Sequence, residues 1–179
     1  MKVFEALNEP TENEFYNFKN IKLFLAGGIT NCDDWQSKVI DKLNKFPLDD
    51  LVIFNPRRKH FDTSDKNASR KQIEWEFKYL NNMDIFTMYF ANSEKSTQPI
   101  CLYELGRHLE RMKHRFPTDW EDRIIIGVED GYSRTQDVII QSRLALGYYA
   151  VQRHITPEVY AQMIYKSYYK LKGCCCIWR

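Results

Sequence analysis

Two carboxylates stand out by the company they keep. Glu104 lies in Pro99-Ile100-Cys101-Leu102-Tyr103-Glu104-Leu105-Gly106. Proline suits the first turn of a helix, and a carboxylate within about the first two turns feels the positive end of the helix dipole. Leu102 and Leu105 read as core-facing, so Glu104 leans to another side. An ionised carboxylate at the carboxyl edge of a sheet is placed to attack the anomeric carbon of a sugar. Glu76 is the second. Gln72 precedes it by four residues, so the two share a helix face. Trp75 beside it lies off the main apolar stripe and offers a stacking face. The commoner role of each acid is that of a solvated surface residue.

Further candidates follow the expected strands. Gly27-Gly28 lets backbone approach a ligand, although a tight turn explains it equally well. It is neither a G-x-G-x-x-G fingerprint nor a phosphate-binding G-x-x-x-x-G-K loop. Asn55-Pro56-Arg57-Arg58 brings two guanidinium groups to a strand end, where phosphate or a carboxylate is a natural partner. Asp33 and Asp34 precede a helix as caps or ligands. Trp35 packs over the loop or over a planar base. Asp84 opens a strand. Thr97 and Gln98 offer hydrogen bonds. The histidines at 60, 108, 114 and 154 form no triad or metal spacing.

The elements that must position these residues alternate. IKLFLAGG (21–28), LVIF (51–54), DIFTMYF (84–90) and RIIIGV (123–128) read as buried strands, and residues 148–151 as a short fifth. Helical stripes separate them: Val39, Ile40, Leu43 and Phe46; then Ile73, Phe77 and Leu80; then Leu102, Leu105, Leu109 and Met112. Thr156-Pro157-Glu158 opens a last helix. This order predicts an α/β fold with a mainly parallel sheet, and ligands beyond the carboxyl ends of its strands. Residues 1–20 read as an N-terminal extension, 21–172 as the domain and 173–179 as a Cys-rich tail.

At 179 residues the chain is long enough for one well-buried core. Its 26 basic and 24 acidic side chains leave a net charge of +2, which argues against a dedicated nucleic-acid binder. No apolar run reaches membrane-spanning length, and the first residues do not form a secretory leader. Five cysteines, three of them adjacent at Cys174-Cys175-Cys176, are no disulfide framework, and no C-x-x-C pair supports zinc. These features predict a reducing, cytoplasmic setting.

Taken together, LFLAGGIT…DW, NPRR, Q-I-E-W-E…D-I and T-Q-P-I-x-L-Y-E-L-G resemble the nucleoside 2-deoxyribosyltransferase-like family, from about residue 21 to residue 134. The resemblance implies a flavodoxin-like three-layer sandwich around a five-stranded sheet of order 2-1-3-4-5, and a homodimer or higher oligomer. It implies cleavage of the N-glycosidic bond of a nucleoside or nucleotide, with transfer to a free base and no cofactor. The family's nucleophile precedes Leu-Gly, which is Glu104 here. The acid eight residues before Asp84 is Glu76, which would hold the base or pass it a proton. The chain departs from the family's pattern at Phe24, where a Tyr is usual, and at Gln98, where an acid is usual. A hydrolase that uses water as acceptor, and a nucleotide-binding protein without turnover, are the competing readings.

Overall fold

A computed structural model describes residues 1–59, 64–147 and 150–173. Among the described residues the sheet is parallel throughout and has six strands: β1 (Lys2–Glu5), β2 (Ile21–Gly27), β3 (Leu51–Asn55), β4 (Ile85–Phe90), β5 (Ile124–Val128) and β6 (Val151–Arg153). They lie in the order β1-β3-β2-β4-β5-β6. Without β1 this is the expected five-stranded order, so the difference is one added edge strand. Of the residues expected to form the last strand, Tyr148 and Tyr149 lie outside the described residues, as do Cys174, Cys175 and Cys176.

The added strand comes from the N-terminal twenty residues. Lys2 to Glu5 pair with Val52 to Asn55, and Phe4 stacks on Phe54 at 5.8 Å. The following helix α1 (Glu12–Tyr16) has a reciprocal cap: Thr11 accepts from the Glu14 amide, and Glu14 accepts from the Thr11 amide. Thr-x-x-Glu is the sequence signature of that motif.

Alternation along the strands divides the core into two layers. Phe24, Ala26, Val52, Phe54, Phe86 and Met88 face α3 (Ala68–Leu80), α4 (Pro99–Arg115) and α5 (Thr135–Leu146). Leu23, Leu25, Ile53, Ile85 and Tyr89 face α2 (Trp35–Leu43) and α6 (Pro157–Leu171).

Helix α3 buries a different face from the expected one. Trp75 and Tyr79 are in the core, whereas Ile73 is 64% and Phe77 56% exposed; of the expected stripe only Leu80 is buried. The rings decide the rotation. Tyr79 stacks on Phe54 at 4.2 Å, Trp75 packs on Phe24 at 5.9 Å, and the Trp75 indole donates to the Asn8 carbonyl. Two large aromatics bury more apolar area than Ile73 and Phe77 would, and each residue of rotation turns the helix by about 100°.

Helix α4 is held against the end of α3 by a row of arginines. Arg107 donates to the Asn81 side chain, Arg111 to the Asn81 carbonyl, and Arg115 to the Asn81 and Met83 carbonyls. These bonds meet carbonyls that a helix C-terminus leaves without partners. They also fix where Glu104 stands relative to Glu76.

Below Glu104 on α4, His108 is fully buried, lies over Phe86 at 5.4 Å, and has no hydrogen-bond partner at either ring nitrogen. Burial, with Arg107 and Arg111 nearby, lowers its pKa to about 4. The unfolded chain takes up this proton near pH 6.5 and the folded chain only near 4, so stability is complete above 6.5 and falls as the pH drops between the two. We expect a loss of up to about 3 kcal/mol over that window. Denaturant unfolding at pH 7 and pH 5 checks it: His108→Leu should remove most of the difference, and an unchanged difference would exclude His108 as its source.

Candidate functional site

A cavity of about 490 Å³ opens beyond the carboxyl ends of β2 and β3, on the α3/α4 side of the sheet. That is large enough for a nucleoside-sized ligand. Phe24 and Ala26 form its apolar floor. Gly27, Gly28, Ile29 and Thr30 form one wall; Pro56 and Arg58 contribute from the loop after β3. Ser69, Gln72, Ile73 and Glu76 line it from α3, and Ser96 with Gln98 to Cys101 and Glu104 from the start of α4.

Both carboxylates therefore enter one space. Burial, reinforced by the neighbouring Glu76 charge and opposed by Arg107, pushes the Glu104 pKa up to about 7. Burial also raises Glu76, while a hydrogen bond from Gln72 and the charge of Arg58 hold it back. Two interacting acids in a shared low-dielectric site do not ionise together, so near neutrality the pair holds roughly one proton. One site thus contains a carboxylate able to act as nucleophile and a carboxylic acid able to donate a proton.

Gly27 is required by packing. At φ +154°, a Cβ there would stand 2.3 Å from the Tyr89 carbonyl oxygen and 2.6 Å from the Trp35 ring. Gly28 is similar: a Cβ would meet the Gln98 side chain at 2.4 Å and the Cys32 sulfur at 2.7 Å. The glycines let the loop lie tightly on the protein itself, and the wall they form faces the cavity.

Gln98 lines the cavity, but its amide is engaged. Its Nε2 donates to the Ala91 carbonyl at 2.6 Å, and its Oε1 accepts from the Ala91 amide. This clasp ties the end of β4 to the start of α4, with Gln98 itself at φ 51°. A carboxylate in its place has no hydrogen to give the Ala91 carbonyl. Thr97 is exposed outside the lining; its carbonyl accepts from the Tyr132 hydroxyl.

Several expected ligand residues hold the scaffold instead. Trp35 and Trp75, the rings expected to stack on a base, are buried against other core rings and do not line the cavity. Trp35 is 1% exposed, stacks on Tyr89 at 4.6 Å and donates to the Gly28 carbonyl. Trp75 is enclosed by Phe24, Phe54 and Tyr79.

Arg57 turns away from the cavity and pins the loop after β2. It donates to the Gln36 side chain and to the carbonyls of Ile29, Cys32 and Asp33. Asp34 caps α2 through Ser37 and lies 3.3 Å from Arg57. Asn55 accepts from the Arg57 amide and shapes the turn. Asp84 is at the opposite end of β4, paired with Lys22 and Arg115, and takes no part in the cavity.

Among the lining residues that no motif singled out are Thr30 and Ser96 from loops, with Ser69 from α3 and Cys101 from α4. A single small polar residue, in a loop or on a helix, carries no pattern of its own. Among the described residues there is no cluster of His, Cys, Asp and Glu able to hold a metal, and no helix is long and apolar enough to cross a membrane.

A family model described as nucleoside 2-deoxyribosyltransferase like matches residues 20–116, the span that holds β2, β3, β4 and both carboxylates. No curated protein matches the chain.

Proposed function

The chain belongs to the nucleoside 2-deoxyribosyltransferase-like family, and from that premise we propose that it cleaves the N-glycosidic bond of a nucleoside or nucleotide through a covalent glycosyl ester on Glu104. The observation that carries the proposal is the pairing of Glu104 with Glu76 in one cavity, both with raised pKa. Glu104 attacks C1′ as the base departs, through an oxocarbenium-like transition state. Glu76 passes its proton to the leaving base. A second free base, entering the same space, then attacks C1′ of the ester and releases Glu104.

A trapping experiment tests the step. Incubation with a 2-fluoro sugar analogue should add one glycosyl mass to the peptide carrying Glu104. Turnover of deoxynucleosides without any such adduct would sink the mechanism.

Water as acceptor is the second reading, favoured by one observation: the amide of Gln98 is spent on Ala91, so less side chain is free to retain a base. Reaction mixtures with and without a second base separate the two. Exchanged nucleoside identifies transfer; free sugar alone identifies hydrolysis. A ligand-binding protein without turnover is the third reading, and the ester on Glu104 would exclude it.

The reaction needs one carboxylate ionised and the other protonated. The rate should therefore be bell-shaped in pH, with its alkaline limb near 7, where the pair loses its second proton. Glu76→Gln removes the charge that helps raise Glu104. We expect kcat/KM to fall by about 10²–10⁴-fold and the profile to become a single ascending limb below pH 7. A variant profile still descending above neutrality would assign that limb to another group.

Ile73 and Ile100 line the cavity and are exposed, as are Phe77 and Tyr103 on the same two helices. An apolar surface of this kind suits a subunit contact, so the proposal includes a homo-oligomer that covers the mouth. The Tyr-rich helix α6 packs with α2 on the other sheet face, so it is less suited to that role than α3 and α4. A strict monomer with full activity in sedimentation would overturn it. The free thiols Cys32 and Cys101 accord with the reducing, cytoplasmic setting that we also propose.

A further inference from the structure

Gln72 stands between the loop after β3 and the acidic pair. Its Nε2 donates to the Pro56 carbonyl at 3.0 Å and to Glu76 Oε1 at 2.8 Å. An amide nitrogen has two hydrogens, and both are thereby committed. The backbone carbonyl fixes the orientation of the amide, so a donor faces Glu76 whatever the cavity holds.

Glu104 is treated differently. Among the described residues no hydrogen bond to its carboxylate is made, and the neighbour that favours its charge is Arg107. Among the described residues, the other groups facing Glu76 are Arg58 from the loop after β3, Glu104 from α4, and the Cys101 thiol, which burial keeps neutral. Arg58 acts in the same sense as Gln72, and the charge on Glu76 in turn opposes ionisation of Glu104.

We propose that Gln72 is a positioning residue that keeps the single negative charge of the empty site on Glu76 and leaves the shared proton on Glu104. The reactive arrangement is the reverse: Glu104 ionised and Glu76 protonated. One proton must then leave the Glu104 carboxyl and arrive on the Glu76 carboxylate as substrate seats. The total charge of the pair stays at minus one. The empty enzyme thus holds its nucleophile masked, and the proton destined for the leaving base is already inside the cavity.

This inference rests on the role given above to the Glu104–Glu76 pair, but its test does not need turnover. In free protein labelled with ¹³C at glutamate carboxyls, the two resonances are assigned with Glu76→Gln and Glu104→Gln and followed against pH. Glu76 should ionise first and Glu104 second. Gln72→Met keeps the length of the side chain and removes the donor. The Glu76 midpoint should then rise by about one to two pH units, the effect expected for a hydrogen bond to a charged group. Gln72→Leu serves if the methionine variant does not fold.

A wild-type protein in which Glu104 ionises before Glu76 would overturn the proposal. So would a folded Gln72 variant whose Glu76 midpoint stays in place. Failure to trap an ester on Glu104 would instead overturn the reaction and leave these titrations standing.

Discussion

Replacing Glu104 by glutamine should lower kcat/KM for bond cleavage by about a thousandfold or more, because the other ionisable group that α4 brings to the cavity, the Cys101 thiol, is kept protonated by burial and does not replace the nucleophile. The same substitution should not weaken the fold. A carboxyl whose pKa is raised on folding contributes stability at low pH and loses it as the pH climbs through about 7. At pH 8 the wild-type protein therefore bears the cost of a half-buried charge that glutamine lacks. Glu104→Gln should unfold at an equal or higher temperature there, by the equivalent of about 1–3 kcal/mol. Steady-state kinetics and thermal unfolding at pH 8 check both halves. Activity lost together with stability would assign Glu104 a structural role; activity retained would remove it from the chemistry.

Trp35 should show the opposite pairing of effects. Its indole is almost fully enclosed between Tyr89 and Tyr160, and its N–H meets the Gly28 carbonyl. Trp35→Ala opens a large void and should cost about 3–5 kcal/mol. That is a large share of the stability of a typical domain, about 5–15 kcal/mol. Trp35→Phe keeps a ring against Tyr89 and leaves only the Gly28 carbonyl without its donor, so about 1–3 kcal/mol is expected. Substrate KM should move little in Trp35→Phe, because the indole does not line the cavity. An unchanged unfolding temperature with a large rise in KM would return Trp35 to the ligand.

The alternation of apolar runs made the sheet legible, because strands buried on both faces leave continuous hydrophobic stretches such as LFLA and LVIF. Glu104 and Glu76 were legible because each sits in a local pattern, Pro-x-x-x-x-Glu-Leu-Gly and Gln-x-x-x-Glu, that helical geometry turns into a direction. The face of α3 was not. Ile73-Phe77-Leu80 and Trp75-Tyr79 both follow helical spacing, and the choice between them depends on Phe24 and Phe54, distant in sequence. The same limit applies to Arg57 and Asp84. Nothing in a charged side chain's type says whether it will meet a ligand or a backbone carbonyl, and here carbonyls and neighbouring charges claimed both. The edge strand was missed because four residues are too few for alternation to show, although the Thr11–Glu14 cap that follows was readable.

That edge strand bears on how the protein can be trimmed. All five residues of β3 are buried, and β1 occupies one side of its backbone, continued by the Ala6 amide bonded to the Asn55 carbonyl. A chain begun at residue 20 would present Leu51 to Asn55 as a bare, flat, apolar edge, the kind of template on which proteins join edge to edge and precipitate. The first residues thus act as a built-in guard against self-association through the sheet. A form cut at residue 20, where the family match begins, should aggregate more readily than one that keeps Lys2 to Glu5.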